Sequence, residues 1–204
     1  MAGPHPSDPW SIGTVPQDYI EAAKPDGDLA GKRFLYSATL GNRFVSKDVV
    51  AAFEAALAKL KDAGAELVEL TGELPDMEPI WRVINHTTWR ARFADMILRD
   101  GERMTPSLVR QVAMAEEWTG ADYQRAMFHR ADLFRMVQKW LEGADYLVTP
   151  TLSRTALPIE QDLFEPIVID GIEVGELRRN WFPYTMPFNI TGHPAITVSC
   201  GFAG

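Results

Sequence analysis

The chain has 204 residues, 46% of them hydrophobic and 24% charged, with a formal net charge of -8 and one cysteine. That length suits one large domain or two small ones and buries about 70% of the unfolded surface, while the composition excludes extensive disorder. The acidic balance, uninterrupted by a basic patch, argues against a nucleic-acid partner. The single cysteine excludes an internal disulfide, and with no signal-peptide pattern and no apolar run of membrane length it predicts a cytoplasmic protein.

Residues 1–28 carry five prolines (Pro4, Pro6, Pro9, Pro16 and Pro25) and little periodicity, so they read as an extended lead-in. Trp10 within it is expected to dock, since a large aromatic is rarely left without a surface to cover. From 29 to 75 the pattern is that of a βαβ unit. Lys32–Leu40 reads as a strand ended by Gly41. Ser46 is a plausible N-cap for a helix whose apolar stripe is Val49, Val50, Phe53, Leu57 and Leu60, and Gly64 stops it. Glu66–Leu70 alternates as a strand does. A strand, a helix and a strand in about forty residues imply a parallel pair.

The stretch 78–142 reads as a helical layer. Pro79 opens a helix over Glu78–Arg99, Thr105-Pro106 opens a second, and Thr119 with Asp122 forms a capping box for a third that runs to Leu141 and stops at Gly143. In 145–204, Asp145–Thr149 is expected to be a strand, and Asp170-Gly171 between two apolar runs is a hairpin signal. Pro183 and Pro187 forbid a long helix around Phe182–Phe188, and Gly192 should take the left-handed conformation that closes a short one. Ala195–Ser199 has the composition of a buried strand, which would leave Cys200 a small buried hydrophobe. The fold class expected is α/β, with a mixed sheet and surrounding helices.

Signals for chemistry are sparse. There is no phosphate loop, Gly-rich dinucleotide turn, HExxH or cluster of metal ligands, so neither a cofactor nor a metal is expected. His5, His86, His129 and His193 lie in unrelated contexts, and a lone helical histidine such as His86 or His129 reads as a surface or hydrogen-bonded core residue rather than a ligand. The aromatic group Trp181, Phe182, Tyr184 and Phe188 could wall a pocket or fill core, and composition alone favours core.

Two motifs carry a resemblance: Asp145-Tyr146-Leu147-Val148-Thr149-Pro150-Thr151, and Phe188-Asn189-Ile190-Thr191-Gly192-His193-Pro194-Ala195-Ile196-Thr197-Val198. Together with Met1-Ala2-Gly3-Pro4 and Asp8-Pro9-Trp10-Ser11 they resemble the amidase signature family of serine hydrolases across essentially all of 1–204, read as a single domain. The resemblance implies amide C–N hydrolysis by a lysine, a serine in a cis linkage and a nucleophilic serine, the last two in a Gly/Ser-rich stretch. Ser37, Ser46, Ser107, Ser153 and Ser199 lack such surroundings, so no catalytic residue is assigned here. The chain is expected to be the later, non-catalytic part of an amidase fold, inactive alone.

On that resemblance Asn189, Phe188, Trp181 and Thr151 are expected to touch a small-molecule amide substrate. For Asn189 a turn residue capping its own backbone is an equal reading. A second expectation is a non-enzymatic binding or assembly module that keeps the scaffold. Either way, uncovered sheet edges favour self-association.

Overall fold

The computed structural model describes residues 18–22, 24 and 28–202. The docking expected of Trp10 and most of the lead-in lie outside these residues. Within the lead-in, Tyr19–Ala22 forms a single helical turn (α1), because the Asp18 carboxylate accepts from the amides of Ile20 and Glu21 at 3.1 and 2.9 Å.

The βαβ unit forms as its sequence pattern requires. Strand β1 (Arg33–Tyr36) leads to helix α2 (Lys47–Asp62), and strand β2 (Glu66–Glu69) returns beside β1 in parallel register, from Arg33 opposite Glu66 to Tyr36 opposite Glu69. The Ser46 hydroxyl caps α2 by accepting from Val49 N at 3.4 Å, and Phe53 and Leu57 on its apolar stripe are buried. Gly64 takes φ +95°, the left-handed exit that a residue with a Cβ adopts at a cost.

Three helices follow: α3 (Glu78–Asp100), α4 (Pro106–Met114) and α5 (Gly120–Trp140), with a 3-10 turn after each of the first two. The capping box is complete, with Thr119 N donating to Asp122 Oδ2 at 2.8 Å and Asp122 N to Thr119 Oγ1 at 3.2 Å. The Thr119 hydroxyl, donating to Asp122 Oδ2 at 2.6 Å, the Thr119 amide and Arg125 hold the Asp122 carboxyl down at about 2. Strand β3 (Tyr146–Val148) then adds to the free side of β1, also parallel, giving the order β2-β1-β3. Asp145 sets that register, since its carboxylate accepts from Arg33 N and its own amide donates to Arg33 O, both at 2.8 Å.

Strands β4 (Pro166–Ile169) and β5 (Ile172–Glu176) form a separate antiparallel hairpin across Asp170-Gly171, at φ +49° and +82°. Helix α6 (Leu177–Trp181) and helix α7 (Met186–Thr191) complete the order, and α7 closes on Gly192 at φ +77°. Parallel and antiparallel pairings therefore occupy different sheets of an α/β chain.

Two apolar clusters hold these parts together. Met77, Trp81, Leu133, Val137, Met186 and Ile190 join α3, α5 and α7, while Ile167, Ile169 and Leu177 seat the hairpin. Phe182 packs against both, so the loop after α6 is where the two clusters meet.

The strand expected over Ala195–Ser199 does not form. Its backbone is not hydrogen-bonded into either sheet, and Ile196 and Val198 are 88% and 72% exposed. Strand composition counts only where a neighbouring strand supplies the ladder, and no described strand is hydrogen-bonded to this segment, although Thr197 meets Thr151 just beyond β3 at 3.4 Å. Cys200 is consequently exposed rather than buried. No helix among the described residues is long and apolar enough to cross a membrane.

Candidate functional site

Parallel strands end their ladder on one side, and the loops leaving their carboxyl ends make a crevice there. In this chain the loop after β1, Thr39–Phe44, and the segment approaching α3, Leu74–Glu78, line one cleft of about 580 Å³. Its other walls are the β5–α6 junction, from Val174 to Asn180, and the proline-flanked stretch Pro183–Pro187. Leu40 takes φ +48° at the turn, and a Cβ on Gly41 would stand 3.2 Å from Leu74 O, so the two loops are in close contact.

Electrostatics around the cleft are organised by arginines. Arg82 sits between two carboxylates: its Nε donates to Glu78 Oε1 at 2.8 Å, and a terminal nitrogen reaches both Glu176 oxygens at 3.0 and 3.1 Å. Burial disfavours the Arg82 charge, but the bonds to Glu78 and Glu176 outweigh it and the pKa ends above the usual guanidinium value. Arg179 pairs with Asp76 across the lining. Tyr184 is buried and donates to Ala38 O at 2.8 Å. Burial pushes its phenol up to about 12, so at neutral pH it is a hydrogen-bonded tie rather than a base.

Behind the cleft lies a fully buried polar group that its sequence context does not announce. Arg178 is 5% exposed, donates to Gln111 Oε1, and stacks 4.4 Å from the Trp81 ring. Gln111 gives its own amide to Ser107 O at 2.9 Å. Both of its ends are thereby engaged. His86 is completely buried, with ring centroids of Trp89 and Trp118 at 5.4 and 5.7 Å and that of Trp81 edge-on at 6.0 Å. Neither ring nitrogen has a hydrogen-bond partner among the described residues. Burial first, then Arg178 and Arg82, push His86 down to about 4. His86 is thus a core residue, one of the two expected alternatives, but without the expected hydrogen bond, while His129 takes the surface alternative.

None of the four residues singled out from the sequence lines the cleft. Trp181 ends α6, and its indole N–H donates to Arg154 O at 3.2 Å. Phe188 packs into the α3–α5–α7 cluster. Asn189 lies on the exposed face of α7, its amide donating to Thr185 O at 3.0 Å. Thr151 follows β3 and meets the Thr197 hydroxyl at 3.4 Å. Trp181 and Phe188 thus belong to different apolar clusters, one on each side of Phe182. Residues of the motif with clear tertiary partners include His193, which stacks on Phe134 at 4.8 Å and meets Thr191 Oγ1 and Gln138 Nε2 at 2.8 and 2.9 Å.

Buried serines are engaged with backbone. The Ser37 hydroxyl accepts from Leu40 N at 2.8 Å, Ser46 caps α2, and the Ser153 hydroxyl donates to the carbonyls of Asn180 and Trp181. None of the three makes a hydrogen bond to a basic side chain. Among the described residues no group of three or more His, Cys, Asp or Glu is placed to hold a metal ion.

An α/β chain with a crevice at the carboxyl ends of its parallel strands is the class that fold and site define. Residues 6–204 match the family model described as Amidase, and the chain belongs to that family. An acylamidase of Rhodococcus erythropolis is 34% identical over 208 residues, which cover 99% of this chain and 42% of the relative. An amidase of Pseudomonas putida is 29% identical over 209 residues, which cover 100% of this chain and 43% of that relative. Among solved structures, a bacterial aryl acylamidase of the amidase signature family superposes with a TM-score of 0.79 at 18% identity, covering 98% of this chain and 43% of that one. That last likeness is one of fold. The chain spans under half the length of these relatives.

Proposed function

We propose that this chain is the substrate-side portion of an amidase, contributing scaffold and part of the pocket to amide C–N bond hydrolysis performed by the whole protein. The observation that carries this reading is the family match over 6–204 together with 34% identity to an acylamidase. In it the nucleophile and its activating groups belong to another part of the fold, because the buried serines here spend their hydroxyls on backbone. Trp181, Phe188, Asn189 and Thr151 contact the amide substrate, with the cleft beside them taking its remote end. The whole acts in the cytoplasm on a small molecule, without nucleic acid. Incubated with simple aryl amides such as 4-nitroacetanilide, the isolated chain should release no more aniline than a heat-killed control. Turnover above that control would overturn the reading.

A second reading, an assembly module built on the same scaffold, draws support from one observation. Ile196, Val198 and Phe202 stand 88%, 72% and 101% exposed within seven residues, and Tyr146 on edge strand β3 is 50% exposed. Exposed apolar segments next to an open sheet edge pair with other chains. Sedimentation velocity at micromolar concentration should therefore show a species larger than the 22.8 kDa monomer. A single monomeric boundary across a tenfold concentration range would overturn the self-association that both readings expect and leave the assembly module without support.

A further inference from the structure

His86 is covered on one side by a segment with few holds of its own. Helix α4 and the 3-10 turn Ala115–Glu117 pack on α3, and their buried side chains are Gln111, Val112 and Ala115. Neither apolar cluster takes a described residue from 106–118. Instead Trp118 lies against the His86 ring, and Gln111 accepts from Arg178. The other ties are at the surface: Arg90 pairs with Glu116 at 3.0 Å, and Arg110 stacks 3.8 Å from the Phe164 ring. The chain is extended at Met104 and at Trp118, on either side of the segment, and the Thr119 capping box starts α5 without it.

This closed arrangement has no place for a proton on His86. The ring is completely buried, both nitrogens lack a hydrogen-bond partner among the described residues, and the charges acting on it, Arg178 from α6 and Arg82 from its own helix, oppose a cation. The nearby carboxylates Glu78 and Glu176 are ion-paired with Arg82. Gln111 favours the proton, but its oxygen already accepts from Arg178 and its amide already donates to Ser107 O. Lifting 106–118 removes Trp118 and Gln111 together and lets water reach the ring. We infer that residues 106–118 form an acid-released flap: a proton on His86 favours the open position, and opening frees Arg178 on α6, the helix that carries the cleft residues Arg179 and Asn180. Such local opening costs less than global unfolding because the α3–α5–α7 cluster stays closed. With His86 held down to about 4 when covered and at its ordinary 6.5 when hydrated, the ratio of open to closed rises about fourfold from pH 7.5 to 6 and about thirtyfold from pH 7.5 to 5. Above pH 6.5 the ring is neutral in both positions and the flap is indifferent to pH.

Hydrogen exchange read by mass spectrometry on the full chain at pH 7.5, 6 and 5, with labelling times scaled for the intrinsic exchange rate, reports opening segment by segment. This range stays above the ordinary carboxylate values, so Glu78 and Glu176 keep their pairs. Protection in 106–118 should fall about thirtyfold between pH 7.5 and 5, while 33–69 and 126–140 keep theirs. His86→Phe should hold the flap's protection constant across the range. Arg90→Gln removes only the surface pair with Glu116, so it should lower protection by one factor at every pH and leave the pH dependence intact. Equal losses in 106–118 and in the sheet would mean global unfolding and would overturn the inference, as would a flap in the unmodified chain that ignores pH. Both of those outcomes are read without any variant. An H86F chain that keeps the parent's pH dependence would overturn it as well.

Discussion

Arg178→Ala is expected to lower the unfolding free energy by about 3 kcal/mol, the sum of an orphaned buried acceptor and a lost desolvated cation–π contact. The residue is 5% exposed, donates to Gln111 Oε1 and lies 4.4 Å from the Trp81 ring. Without it Gln111 keeps an oxygen in a dry site with no donor. The charge count nearby also tips: Glu78 and Glu176 would face Arg82 alone. Arg178→Lys restores the charge but not the planar fork, so it should recover only part of the loss. Arg179→Ala, one residue on, removes a half-exposed pair with Asp76 and should cost below about 1 kcal/mol. Urea midpoints at fixed slope measure all three. An Arg178→Ala variant within about 1 kcal/mol of the parent would show that the guanidinium is not holding α6 to α4.

The second large effect is acid destabilisation through His86. In the unfolded chain this imidazole takes a proton near its ordinary value of 6.5, whereas in the folded chain burial and the guanidinium groups of Arg178 and Arg82 hold it down to about 4. Above pH 6.5 the ring is neutral in both states and the term is zero. As pH falls from 6.5 towards 4, only the unfolded chain gains the proton, so stability drops by about 1.4 kcal/mol per pH unit and about 3 kcal/mol in all. Below pH 4 both states are protonated and this group adds nothing further. His86→Phe keeps a flat ring between Trp89 and Trp118 and has no proton to gain. The difference between the two proteins in a urea series from pH 7.5 to 4 isolates the term from the carboxylates. Parallel stability curves for the two would refute it.

The local chemistry of the fold was legible in single residues. Ser46, Thr119 with Asp122, Gly64, Asp170-Gly171 and Gly192 are caps and turns whose geometry is decided within four residues, and each forms as its neighbours dictate. The parallel pairing of β1 with β2 followed from strand, helix and strand in order. Ala195–Ser199 went otherwise because a ladder needs a second strand, and composition cannot supply one. The cleft was harder still. Its lining comes from four separated stretches, and the signal that could have pointed to it was the position of Thr39–Phe44 after a parallel strand. His86 gave no local sign of its surroundings, since Trp89 lies one turn along the same helix but Trp118 and Arg178 come from elsewhere in the chain.

Ser153 joins parts of the chain that are far apart. Its carbonyl accepts from Ser46 N at 2.7 Å, its amide donates to Trp181 O at 2.8 Å, and its hydroxyl is spent on the same turn of α6. Three stretches more than twenty residues apart must meet before any of these bonds can close, and loop closure over such spans is slow. Helix α6, at five residues, has no independent helical stability to wait in. During folding, the βαβ unit and the long helices should therefore order first, with α6 and the cleft wall it carries settling last.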